Sequence, residues 1–476
     1  MVRGSFADVM LARVAPDLLG RASLGLIAAF LSTPAGAQGV ALPRPDLPLP
    51  LDRATVGQAG SVRSDPSLRL PDSAATGDLR PMQTPDAVRQ GVTVQDRPRP
   101  EYSNEPARVG AFLLTAEAGA RLGYDVNVFR QRDDGASDGY GLLTATGRLA
   151  SDTPRHLLLL EGAVAERAYA KFTTESGFTY MGHAGGRLDL GLRDSLSLDV
   201  RHEHQMRERN TATEILSTRR PVVYDLTSFT VSGHKMVGRV GIDLAGVVSR
   251  LNYDDAETPN RVPIDLDVRN SRSYGARLDV SYELGTGPIA FAAVRTERRR
   301  YDTRVVQGQT RDSNQYEFLA GLRGEIAPLL RGQIGVGYIH AELKDGRAAG
   351  GPSVDGRLDY LLTDLTTISF EGRRELRNVA SITTPEALAS RFTLQVDHEL
   401  LRNLILSATA GYDRASYLDE DGGSTEIEGR FGATYLINRR FRLTGSIGYR
   451  NRNGFGRIAD RDYNQLAGNI GVVARL

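Results

Sequence analysis

Leu466-Ala-Gly-Asn-Ile-Gly-Val-Val-Ala-Arg-Leu476 ends the chain. Leu466, Gly468, Ile470, Val472, Ala474 and Leu476 share one side of a period-two pattern. Ala467, Asn469, Gly471, Val473 and Arg475 share the other. Successive side chains of a strand point to opposite faces, so the stretch reads as a strand with one apolar face. A terminal strand of this kind can zip against the first strand of a sheet and close it into a barrel. On that reading it closes against residues 112–122, with Val472 towards lipid and Val473 towards the interior.

The same pattern runs backwards through most of the chain. Phe112, Leu114, Ala116, Ala118, Ala120 and Leu122 alternate with Glu117, Arg121, Asp125 and Asn127. Tyr274, Ala276, Leu278, Val280 and Tyr282 oppose Ser273, Arg277, Asp279, Ser281 and Glu283. Thr425, Ile427, Gly429, Phe431, Ala433 and Tyr435 oppose Glu426, Glu428, Arg430 and Thr434. Short turns are expected at 151–155, 193–195, 234–237, 285–288, 327–330, 363–365, 400–403 and 438–440. Longer polar loops alternate with them at 130–138, 170–175, 207–220, 252–270, 302–312, 344–352, 377–386, 417–423 and 451–460. That rhythm predicts an all-β fold: a transmembrane up-and-down antiparallel β-barrel of about eighteen strands, with both termini in the periplasm. A soluble sandwich shows the same alternation without so long a run of hairpins in two loop classes. A propeller needs a blade motif, and none recurs.

Composition agrees. Lys+Arg 59 against Asp+Glu 58 leaves a net charge of +1, which gives no bulk electrostatic case for nucleic acid. Mean hydropathy is −0.30, and past the leader no apolar run is long enough for a membrane helix. A barrel escapes that test because its lipid and lumen residues alternate and cancel. With Trp 0, Tyr 18 and Phe 14 would have to supply the interfacial girdles. Arg3, Arg13 and Arg21, the apolar stretch 22–31 and Ala35-Gly36-Ala37 read as a signal peptide spanning 1–37. Residues 38–106 are rich in proline, from Pro43 to Pro100, and read as a disordered periplasmic arm. The barrel then occupies 107–476, placed in the outer membrane.

Its inward face is the candidate functional surface. The pore-lining residues expected from the alternation are Glu117, Arg121, Arg187, Asp189, Asp199, Arg201, Arg277, Asp279, Glu317, Arg323, Arg357 and Asp359. Glu371, Arg373, Arg391, Glu428, Arg430 and Arg442 complete that set, with Glu203, Glu325, Asp397 and Glu426 on the same face. Opposite charges across a water-filled pore would set a transverse field. Equally, cross-strand pairs could simply stiffen the interior. Arg201-His202-Glu203-His204 puts its histidines on the side opposite Glu203, so they do not converge on a metal. The acidic 417–423 loop lacks the ligand spacing of a calcium loop. No Gly-x-Ser-x-Gly, His-Glu-x-x-His or Walker motif is present, and neither an enzymatic role nor a cofactor or metal is expected.

Three phrases carry a resemblance: Gly123-Tyr-Asp-Val-Asn-Val-Phe-Arg130, Val396-Asp-His-Glu-Leu400 and Gly411-Tyr-Asp-Arg-Ala-Ser-Tyr417. With them the chain resembles the outer-membrane β-barrel porin families of Gram-negative bacteria over roughly residues 109–476, although such barrels most often end on Phe rather than Leu476. Some members accompany exopolysaccharide export. The resemblance implies a channel for hydrophilic solutes, with outer-membrane lipid, the barrel-assembly machinery and polysaccharide export components as partners. A structural or adhesive barrel with a closed lumen is the alternative.

Overall fold

The computed structural model describes residues 92–476, apart from 134, 154–155, 192, 211–216, 286, 304, 307–308, 345, 347, 379–385, 418–421 and 457–460. The leader, the arm up to residue 91 and the acidic part of the 417–423 loop lie outside the described residues.

Eighteen antiparallel strands close into one barrel. In chain order they are β1 Phe112–Asp125, β2 Asp138–Ser151, β3 His156–Tyr169, β4 Gly177–Asp189, β5 Ser195–Met206 and β6 Val223–Val237. Then come β7 Val240–Tyr253, β8 Ser271–Glu283, β9 Ile289–Tyr301, β10 Ser313–Ala327, β11 Leu330–Leu343 and β12 Ala348–Thr363. The last six are β13 Thr366–Asn378, β14 Glu386–Leu401, β15 Leu404–Tyr417, β16 Gly422–Leu436, β17 Phe441–Gly456 and β18 Tyr463–Arg475. Each pairs with its neighbours in sequence. β18 returns to β1, from Glu117 opposite Arg475 to Asp125 opposite Ala467. Gly471 permits that closure, since a Cβ there would lie 2.2 Å from the Ala120 carbonyl oxygen.

Alternation decides what each face meets. Leu122, Leu160, Val200, Leu244, Val294, Phe318, Val336, Ile427 and Ile470 all stand exposed on the outside. A continuous apolar band of this kind suits hydrocarbon. Tyr124, Phe178, Tyr274, Tyr316, Tyr338, Tyr412 and Tyr449 ring one end of the band, and Tyr282, Tyr360, Tyr435 and Phe441 ring the other. These are the girdles that the tryptophan-free chain had to build from Tyr and Phe. Val472 is exposed outward and Val473 is buried inward, as the alternation requires.

Several boundaries differ from the sequence reading: β17 runs to Gly456, through most of the loop expected at 451–460, and β1 ends at Asp125, ahead of the loop expected from 130. The turn expected at 234–237 falls at Gly238 and Arg239, because β6 stays paired to Val237 and Gly238 supplies the left-handed position at φ +61°. β12 begins at Ala348, inside the loop expected at 344–352, and takes in Pro352. Proline is tolerated there because the ladder from β12 to β13 begins only at Asp355.

The final part of the proline-rich segment is ordered. From residue 92 it crosses the barrel end at which β18 finishes, then forms a short strand, Ala107–Val109, and turns into β1. The Val94 N–H donates to Thr367 Oγ1 at 2.9 Å, and Gln95 Nε2 donates to Asp397 at 2.8 Å. Arg99 meets Glu399 at 2.6 Å, with both side chains buried. Arg402 donates to Glu101 and to the Pro98 carbonyl, and Arg475 to the Tyr102 carbonyl. The strap has no periodic apolar face; inward-facing strand ends take up its polar groups instead.

Candidate functional site in the barrel interior

Every strand offers its alternate residues to the interior, so the geometry there follows from register. Arg187 meets Asp189 at 2.9 Å, Arg277 meets Asp279 at 2.9 Å, and Arg201 pairs with Glu203. Arg323 reaches Asp279 at 3.4 Å and Asp243 at 3.5 Å. Arg442 meets Glu117 at 2.6 Å, and Arg121 donates to Thr444 at 3.4 Å. Arg357 lies 3.6 Å from Asp359, and Arg373 3.6 Å from Asp355. Arg391 meets Asp413 at 2.6 Å, while Glu428 accepts from Arg450 at 3.2 Å. Glu371 stands opposite Arg357, and Arg430 opposite Thr409.

The charges gather into nodes that the sequence reading did not assemble. Arg295 binds Glu317 at 3.1 Å and Asp355 at 2.5 Å. Because Arg295 lies on β9 and Asp355 on β12, that second bond runs through the interior rather than between neighbouring strands. Ser353 also donates to Glu317. A second node joins Arg377 to Glu375 at 2.9 Å and to Asp413 at 2.7 Å. In a third, His183 bridges Glu161 and Asp199, each at 3.1 Å. Arg295 opens a stretch dense in arginine up to Arg300, which blurs the parity, and Arg377 falls in the loop expected at 377–386, whereas β13 continues to Asn378.

At the end with long connections, described parts of two loops turn inward. Glu208, between β5 and β6, meets Arg130 at 2.6 Å and Arg450 at 3.5 Å. Asn210 donates to the Arg130 carbonyl at 2.6 Å, and its own carbonyl accepts from Arg452. Arg130 and Asn210 both have positive φ, at 53° and 49°. Below this contact Val128, Tyr140, Leu142, Ala165, Tyr169 and Met206 form an apolar cluster on the inward side. A second buried apolar cluster, of Val222, Tyr224, Leu251, Tyr253 and Leu266, likewise departs from the polar interior. Outside the wall, His204 stacks on Tyr180 with centroids 5.1 Å apart and pairs with Asp225 at 2.8 Å, while His202 lies 2.8 Å from Thr227. Both histidines therefore face away from Glu203.

Residues 99–476 match the family described as "Putative beta-barrel porin 2". The chain belongs to this family. Solved structures similar to this porin 2 family member include the FrpB iron transporter from Neisseria meningitidis. That pair shares 9% identity with a TM-score of 0.41, over 72% of this chain and 63% of FrpB. OpdL from Pseudomonas aeruginosa shares 10% identity with a TM-score of 0.38, over 76% of this chain and 98% of OpdL. OccK5 (OpdH) from the same organism shares 12% identity with a TM-score of 0.37, over 76% and 98%. No curated protein matches the chain significantly.

For the porin 2 barrel, the Arg295 node gives a direct expectation. Arg295→Ala leaves Glu317 and Asp355 facing each other without their shared cation, and breaking a buried pair of this kind costs about 3–5 kcal/mol. The temperature at which the folded gel band converts to the unfolded one should fall, while Arg357→Ala, at an exposed lumenal position, should leave it unchanged.

Proposed function

We propose that this outer-membrane barrel is a channel for hydrophilic solutes. The strand number carries the reading: barrels of 16–18 strands enclose an aqueous channel, whereas eight strands are filled by their own side chains. The interior is lined by paired charges of both signs, which hydrate a polar solute and favour neither cations nor anions strongly. An accessory role in exopolysaccharide export is the finer form of the same proposal. The phrases at 123–130, 396–400 and 411–417 support it through their resemblance to families that include such members.

Purified protein in a planar bilayer should give stepwise conductance with weak ion selectivity. A silent seal at every voltage, from protein shown to be folded, would refute the open channel. A structural or adhesive barrel is the second reading, favoured by the strap at one mouth and the inward loops at the other. It requires that trimming the 252–270 loop with protease abolish surface attachment and leave permeability unchanged.

A further inference from the structure

Arg250, Arg272 and Arg300 stand in one row on the outside of the barrel. Arg272 is directly opposite Arg250 on β7 and directly opposite Arg300 on β9. Alternation turns all three away from the interior, on the same face as Tyr274 and Val294. Arg298, two residues along β9, faces the same way opposite Tyr274 and Asn314. Like charges placed directly across neighbouring strands repel, so the row is unfavourable unless something anionic covers it.

The protein offsets only part of that charge. Asp302 binds Arg250 at 2.7 and 2.5 Å, and this pairing holds its carboxyl below the ordinary range. Arg300 is spent on Asn314 at 3.2 Å, on the carbonyls of Arg299 and Ser313, and on Asp312 at 3.6 Å. Arg272 and Arg298 are exposed; Arg272 shares the field of Asp302 at longer range, and neither has a hydrogen bond or close ion pair among the described residues.

Height on the wall selects the partner. Tyr274, Tyr316 and Tyr338 form the aromatic girdle of this sector, and Arg272 sits two residues beyond Tyr274, roughly 7 Å further along the strand. Aromatic girdles mark the membrane–water interface, so the guanidinium groups stand at headgroup level on the end with long connections, which faces outward in such barrels. Guanidinium forks match phosphate oxygens two at a time. The neighbouring sector of the same rim presents His202, His204 and Asp225 instead, so the cationic character is local.

We propose that the row Arg250, Arg272, Arg298 and Arg300 is a docking site for a lipid of the outer leaflet whose phosphate groups leave it net anionic. Arg272 and Arg298 supply the open donors, and the girdle tyrosines pack against the acyl–headgroup boundary. The site lies outside the pore and is independent of what passes through it.

The test titrates the delipidated full-length barrel in neutral detergent with bis-phosphorylated lipid A, read by native mass spectrometry. Wild type should bind, and R272A/R298A, checked for its heat-modifiable folded band, should bind at least about tenfold more weakly. R272K/R298K keeps the charge and should fall between them. Equal binding by wild type and R272A/R298A would overturn the proposal. So would equally strong binding of phosphatidylethanolamine, or full displacement of lipid A by millimolar inorganic phosphate, which would mark a free-anion site. Wild-type protein supplies an arm that needs no variant: fully dephosphorylated lipid A should fail to bind, and unchanged binding would refute the site. A lipid-independent dimer that R272A/R298A dissociates would assign the row to a protein interface instead.

Discussion

Ile470→Arg should prevent the barrel from closing, while Asn469→Arg should leave it largely intact. The two residues are adjacent on β18, so they share position along the closing strand and differ in facing. Ile470 points outward and is 66% exposed to the membrane side, opposite Leu122 of β1. Asn469 points inward and donates to Ser446 at 3.1 Å. An arginine on the lipid face near the midplane costs about 2–4 kcal/mol, whereas an inward one keeps its water. The readout is the fraction of heat-modifiable protein in outer-membrane preparations. Val473 makes a poorer inward control than its neighbour suggests, because it is buried and paired with Arg442. Equal loss of folded protein from Ile470→Arg and Asn469→Arg would mean that β18 is buried on both faces, and the membrane barrel would fall with it.

Glu399→Gln is expected to loosen the strap. Glu399 accepts from Arg99 at 2.6 Å, and Arg97 and Arg402 approach it at 3.7 and 3.6 Å, so one substitution removes the shared anion of three cations. Arg99 is buried beside it, and the loss of such a pair costs about 3–5 kcal/mol. Because the strap crosses the mouth and β1–β18 do not depend on it for their ladders, the folded band should persist while two other observables move. Cleavage after Tyr102 by chymotrypsin should accelerate, and single-channel current should rise. Unaltered cleavage and current would show that the hydrogen bonds to Thr367, Asp397 and Arg475 hold the strap without the ion pairs.

The barrel itself was legible because its physics repeats. Each strand encodes lipid and lumen in the same period of two, and errors in one strand are corrected by the next. The closing strand, its partner and the facing of Val472 and Val473 all follow from that repeat. Inward placement of Arg277, Asp279, Glu428 and Arg430 follows in the same way. Partnership did not, since the bond from Arg295 to Asp355 depends on the curvature of the wall rather than on any one strand. Nor did the strap: Arg99 is buried by contacts with residues some three hundred positions later, and nothing in its own neighbourhood announces them. The inward loops were hidden for a related reason. Arg130 and Asn210 belong to polar connections, and polar composition is the same whether a loop faces bulk water or a wet interior.

The seam between β1 and β18 also orders events in time. Glu117 and Arg475 are roughly 350 residues apart, and bringing ends so distant together costs about 5 kcal/mol in loop-closure entropy. No partial barrel recovers that cost, because the first strand's missing partner is the last of the eighteen strands. Until the two meet, the unclosed sheet carries two bare edges, each a template for pairing with a stranger. A chain lacking its final eleven residues would hold nearly every hairpin of the native protein and still remain an open sheet.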